Sequence, residues 1–183
     1  TKPETQYFLA VSLEEINQKK KALEMYNLAY KNHYEPKVHV VQKIADLSLE
    51  FGYYKEAYKL YEEKLKLSNN DVDSYIQPIW IALSKLSNID KAENLAEWAR
   101  KVFPSEAQSY NLSAWVEIER GDYERAQSFL HQSFSFHPNF SAAHYNQGRL
   151  YEALNQKDKA IKSYELAYQN DKEGNIGDIA AQS

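Results

Sequence analysis

Few residues in this chain are grouped as catalysis requires. Five histidines, at 33, 39, 131, 137 and 144, include no pair four residues apart, the helical spacing that would aim two imidazoles at one metal. Cysteine is absent, which removes disulfides, thiolate metal sites and a cysteine nucleophile. No G-x-S-x-G elbow, phosphate-binding glycine loop, H-E-x-x-H or calcium-loop pattern occurs, and glycine appears only five times. The adjacent carboxylates Glu14-Glu15 and Glu62-Glu63 have lysines close by and fit solvated helix faces better than a paired acid and base. Two N-x-S triplets begin at Asn111 and Asn139; the helical pattern around Asn111 disfavours a glycan there. The expectation is a protein with no catalytic residues, no metal and no cofactor, and hence not an enzyme.

The elements that would position any site are legible from composition and spacing. At 183 residues the chain fits one globular unit or a short array of repeats. It is 43% hydrophobic and 26% charged, which argues against disorder throughout. The net charge of −4 does not suit a nucleic-acid face, and nucleic acid is not an expected partner. The apolar run Ile79–Leu83 is far too short to cross a bilayer, so direct membrane insertion is not expected. Neither a signal peptide nor an initiating Met is present, as expected of a processed chain or excised domain. A cytoplasmic setting is the default expectation, and an extracytoplasmic one follows if a signal or anchor was removed.

A single cell recurs along the chain. Residues 121–139 open on Gly121-Asp122, continue with Ala126, Phe129, Leu130 and Phe134 at helical spacing, and stop at Pro138. The same cell places Ala at 22, 57, 92, 126 and 160, at intervals of 34 or 35 residues. Each cell holds two helical patterns joined by a turn around Gly52, Gly121 or Asn155, and alternation of strand type is hard to find. The class is therefore all-α. A helix pair this short cannot bury its apolar stripe alone, whereas stacked pairs share a continuous core.

The pattern resembles the tetratricopeptide repeat (TPR). The last copy carries Gly148, Tyr151, Ala160, Tyr164 and Ala167; the fourth carries Tyr110, Ala114, Ala126, Leu130 and Pro138. Ala45, Gly52, Ala57 and Tyr61 match in the second copy, and Ala10, Leu13, Ala22, Tyr26 and Ala29 in the first. The resemblance covers residues 1–174 as one array, with copies at 3–37, 38–72, 73–106, 107–140 and 141–174, followed by a tail at 175–183. It implies a right-handed superhelical solenoid of five antiparallel helix pairs, in which small residues allow close crossings and bulky ones fill the space beside them. The third copy departs from the pattern, with Trp80 at a position usually small and Ala96 at one usually bulky. Trp80 is accordingly expected to be largely buried against the helix bearing Ala92 and Ala96. Pro78 either kinks this helix or starts it, with Gln77 as cap.

By position in the family, the inner wall of the array falls to the first helices. Its expected centre comprises Gln77, Ile81, Asn111, Leu112, Trp115, Ile118, Tyr145, Asn146 and Arg149. Leu112 and Ile118 could equally pack into the next repeat, while Trp115 stands at a position that usually points into the groove. Neither the family's carboxylate clamp nor its asparagine ladder is matched, since only Asn111 and Asn146 could belong to such a ladder. The resemblance thus implies a noncatalytic scaffold that binds a protein or peptide segment in its concave groove. The alternative is a regulatory or targeting domain of a larger enzyme or multidomain protein. The tail reads as too short and glycine-broken for a good capping helix. Ile161, Tyr164 and Tyr168 are then expected to stay partly exposed, offering the C-terminal repeat for self-association.

Overall fold

The computed structural model describes residues 2–172 together with 174, 176 and 180. Among these the protein is all-α, made of helix hairpins of the TPR-like solenoid type. The helices are α1 (Pro3–Glu15), α2 (Lys19–Lys31), α3 (Lys37–Glu50), α4 (Tyr54–Leu67), α5 (Ile76–Ser84), α6 (Ile89–Val102), α7 (Ala107–Arg120), α8 (Tyr123–Phe136), α9 (Ser141–Ala153) and α10 (Lys157–Asn170). A 3-10 turn, Val72–Tyr75, precedes α5.

One backbone device ends the first helix of every copy. Asn17, Gly52, Ser87, Gly121 and Asn155 all adopt left-handed φ, between 48° and 84°. At 52 and 121 glycine takes this conformation without a Cβ clash. In four copies the N–H one residue further on reaches back to a carbonyl five residues earlier: Gln18 to Leu13 (2.7 Å), Tyr53 to Ser48 (2.8 Å), Asp122 to Glu117 (3.0 Å) and Gln156 to Tyr151 (2.8 Å). These bonds satisfy carbonyls that the helix end would leave bare. Side-chain caps then start two of the second helices, with Asn88 accepting from the Lys91 N–H and Asp122 from the Arg125 N–H.

The chain divides after Leu86 into two compact units. In the first, α1 packs on α2, α2 on α3, α3 on α4, and α4 on α5; in the second, α6 packs on α7, α7 on α8 and α9, α8 on α9, and α9 on α10. Ala22, Ala57, Ala92, Ala126 and Ala160 are all buried, none above 3% exposed. At the crossing of α9 on α10, a Cβ added to Gly148 would collide with the ring of Tyr164.

Tyrosine fastens three of the pairs. Tyr26 Oη donates to Glu14 (2.5 Å), Tyr61 Oη to Asp46 (2.6 Å) and Tyr164 Oη to Glu152 (2.6 Å), each from the same position of the second helix. The ring fills the seam while its hydroxyl, buried but satisfied, ties the two helices of the pair. The third and fourth copies carry Ala96 and Leu130 at that position, both buried.

Three sequence expectations are corrected at the ends and in the third copy. Trp80 is half-buried rather than largely enclosed, with the Lys85 ammonium 4.9 Å above its ring. Ala96 lies instead beside Arg100, Ser113, Val116 and Phe129 of its own unit, which line a narrow cleft there. Pro78 neither kinks the helix nor follows a Gln77 cap: both lie in the first turn of α5, where a missing N–H costs nothing. At the other end the tail does contribute a cover. Ile176 and Ala180, both helical, pack on the cluster of Ala160, Tyr164 and Ala167, and Tyr164 is only 5% exposed. The Asp171 carboxylate accepts from the Ile176 N–H (3.1 Å).

Candidate interaction surface

The second unit builds one continuous wall from α7 and α9. Helical geometry puts Gln108, Asn111, Trp115 and Glu119 on one side of α7. Asn146 Nδ2 donates to Asn111 Oδ1 (2.9 Å), and Asn111 Nδ2 donates to Gln108 Oε1 (2.9 Å). Two turns further along, Arg149 Nη2 donates to Glu119 Oε1 (2.6 Å). Trp115 stands between these two bridges, so it shares their face, and its indole is half-buried. Tyr145, also half-buried, extends the wall on α9, its ring 5.6 Å from that of Tyr164. Burial, and then the bond to Glu152, pushes the Tyr164 phenol above its ordinary range, so it stays a neutral donor.

The expected wall residues divide by burial. Asn111 and Asn146 are nearly enclosed, at 4% and 6% exposure, and their side chains are engaged with each other. Leu112 and Ile118 are buried too; Ile118 belongs to the core cluster of Ala114, Ala126, Leu130, Ala143 and Leu150. Neither offers a ligand any surface. The first unit holds the other two residues, where Gln77 is exposed and Ile81 is fully buried within the apolar run of α5. The aromatic and polar surface that the α7–α9 wall leaves on view is therefore Trp115, Tyr145, Arg149 and Glu119. At the C-terminal end Ile161 and Tyr168 are exposed, whereas Tyr164 is covered.

Sequence reasoning missed a charged cluster on the side of α7 away from this wall. Glu117 is 2% exposed, with Arg125 Nη2 at 3.0 Å from one oxygen and Arg120 Nε at 3.5 Å from the other. Glu93 of α6 closes the cluster, 2.5 Å from Arg120 and 3.6 Å from Arg125. Burial pushes the Glu117 carboxyl up and outweighs the opposing pull of Arg125 and Arg120. Arg100 lies over the Phe129 ring at 4.7 Å in the same cleft. The signal was present in the repeat itself: a carboxylate occupies the position of the first helix where a bulky apolar side chain is expected.

Other chemistry is not assembled among the described residues. They contain no group of three or more His, Asp or Glu side chains that could hold a metal, and no helix long and apolar enough to cross a membrane. Asn111 is enclosed in α7, while Asn139 is exposed in the turn after α8.

Comparison with known proteins places this arrangement. Tetratricopeptide-repeat models match residues 141–173 and residues 81–131. The chain is a tetratricopeptide-repeat protein. Solved structures share its fold at low identity. MamA from Desulfovibrio magneticus RS-1 is 14% identical over 95% of this chain and 97% of that one, with a TM-score of 0.70. The thermophilic TPR protein TTC0263 of Thermus thermophilus is 16% identical over 98% and 97%, with a TM-score of 0.65. YrrB, a TPR protein with an unusual peptide-binding site, is 17% identical over 97% and 91%, with a TM-score of 0.62. No curated protein sequence matches the chain.

Proposed function

We propose that this TPR protein is a noncatalytic interaction scaffold and that it binds a peptide or helical segment on the α7–α9 wall of its second unit. The observation that carries this reading is the half-exposed Trp115 indole, held between the Asn111–Asn146 and Glu119–Arg149 bridges. Bridges on either side keep the wall rigid, so little side-chain ordering remains to oppose binding. An indole on such a wall has both apolar area to bury and an N–H to donate. The peptide-binding site of YrrB, a neighbour in fold, supports the same class of partner.

The test begins by selecting binding peptides from a random library against the intact protein. Trp115→Ala is then expected to weaken the selected peptides by at least about tenfold, roughly 1.4 kcal/mol, with thermal stability nearly kept. Unchanged binding, or unfolding of the variant, would overturn the assignment of Trp115 to a partner surface.

A further inference from the structure

The burial pattern repeats from pair to pair, which makes the two ends of the array comparable with its internal seams. Ile44, Ile79 and Ser113 hold one equivalent position of α3, α5 and α7 and are buried where the preceding second helix packs, while Gln147 at that position of α9 is half-buried. Leu9 holds that position in α1 and is 48% exposed. Among the described residues, the face of α1 that carries it stays open to solvent.

Three contacts across the internal seams show what such a face meets. Lys19 at the start of α2 meets Glu50 at the end of α3 (2.6 Å). Glu93 in the first turn and a half of α6 meets Arg120 at the end of α7 (2.5 Å). Tyr30 near the end of α2 carries Lys37, at the start of α3, over its ring (5.0 Å). Transferred to the two ends by repeat position, these contacts pair Lys157 with Glu15, Ile161 with Ile16, and Tyr168 with Lys2. All six residues are exposed, Ile16 at 63%, Ile161 at 57% and Tyr168 at 43%. One pair is oppositely charged, one apolar and one a cation on an aromatic ring.

We propose that the C-terminal face of α10 is a docking surface for α1 of a second copy of this chain, and that the segment bearing Ile176 and Ala180 competes for that face. Ile176 and Ala180 pack on Ala160, Tyr164 and Ala167, while Ile161 and Tyr168 stay open. A second copy supplies a full-length helix with a complement for each uncovered residue. Because the two surfaces differ, the contact is head-to-tail and extends into longer assemblies instead of closing at a dimer. This inference does not depend on the Trp115 wall.

Sedimentation over a wide concentration range tests it. With the tail released by Ile176→Asp and Ala180→Asp together, association is expected to strengthen at least about tenfold over the unaltered chain. In that background Ile16→Asp returns the protein to a monomer. Glu15→Lys or Lys157→Glu alone weakens association, and the two together restore it. Both reversals suit their helix ends, so folding is not at issue. A chain that stays monomeric with its tail released overturns the proposal, as does association indifferent to Ile16→Asp. Should the tail variant fold poorly, the absence of cysteine permits a second test in the otherwise intact chain. Ile16→Cys combined with Ile161→Cys is expected to oxidise to a ladder of covalent oligomers that neither single variant forms. A double variant no different from the singles overturns the proposal equally.

Discussion

The first unit and the α7–α8 pair of the second solve one packing problem with different side chains, while Tyr164 of α10 keeps the first unit's solution. In the first, hydroxyl-to-carboxylate bonds from Tyr26 and Tyr61 tie the helices of each pair, and every cation is a lysine. The second holds all the arginines, at 100, 120, 125 and 149, and three of them surround Glu93, Glu117 and Phe129. Its α7–α8 pair has Leu130 where the first unit has tyrosine, and so relies on apolar packing inside and ion pairs at the edge. A phenol both fills a seam and satisfies a carboxylate, whereas a leucine does only the former. The polar share then passes to guanidinium groups, whose planar forks reach two carboxylates at once.

The sharpest way to break this comparison is to remove the apolar half. Leu130→Ala leaves a cavity among Ala114, Ile118 and Leu150 and is expected to cost about 2–5 kcal/mol, read by denaturant melts. A loss no greater than that of an exposed residue would show that the ion pairs, not the core, hold the fourth pair.

Glu117 sharpens it further. Its burial outweighs the attraction of its arginines, and Arg120 and Arg125 keep Glu93 if it is lost. Glu117→Leu, restoring a bulky apolar residue at a seam position, is therefore expected to raise stability by about 1 kcal/mol. A lower melting temperature would mean that the buried carboxylate is a net stabiliser.

In the first unit, Tyr26→Phe removes a hydroxyl but leaves Glu14 its Lys43 partner at 2.9 Å. A loss of about 0.5–1.5 kcal/mol is expected from the same melts, smaller than that of Leu130→Ala. An equal loss would erase the contrast between the units.

The smallest effect is a pH dependence confined to the second unit. His144 is buried, and its Nε2 lies 3.0 Å from the Pro138 carbonyl. Burial lowers its pKa below the ordinary histidine value, so the unfolded chain binds a proton more readily than the folded one. Stability is then complete above the ordinary value and declines as pH falls through it toward the depressed one. His144→Phe is expected to flatten that decline in melts between neutral and mildly acidic pH. A variant with the same slope as the parent would assign the dependence to other groups.

Much of the fold was written in local spacing. The recurrence of alanine at 22, 57, 92, 126 and 160, and the turn residues between helices, are set by helix geometry and by what a left-handed backbone tolerates. Neither needs knowledge of distant residues. Trp115 was singled out in the same way, from its position within a repeat. Exposure followed no such rule. Ile81 and Trp115 hold equivalent positions, yet one is enclosed and the other half-open. Tyr164 belonged by position to an open end, and a few tail residues with weak helical signals cover it.

What the chain alone determined, then, is the period, the helix pairs and the small residues at their crossings, because these follow from periodicity within one or two turns. Only the tertiary structure decided which side chains meet. It joined Asn111 to Asn146, placed Glu117 among arginines from α7 and α8, and laid Ile176 on the cluster that holds Tyr164. Burial and hydrogen bonding depend on what a neighbouring helix carries, and no single helix encodes that.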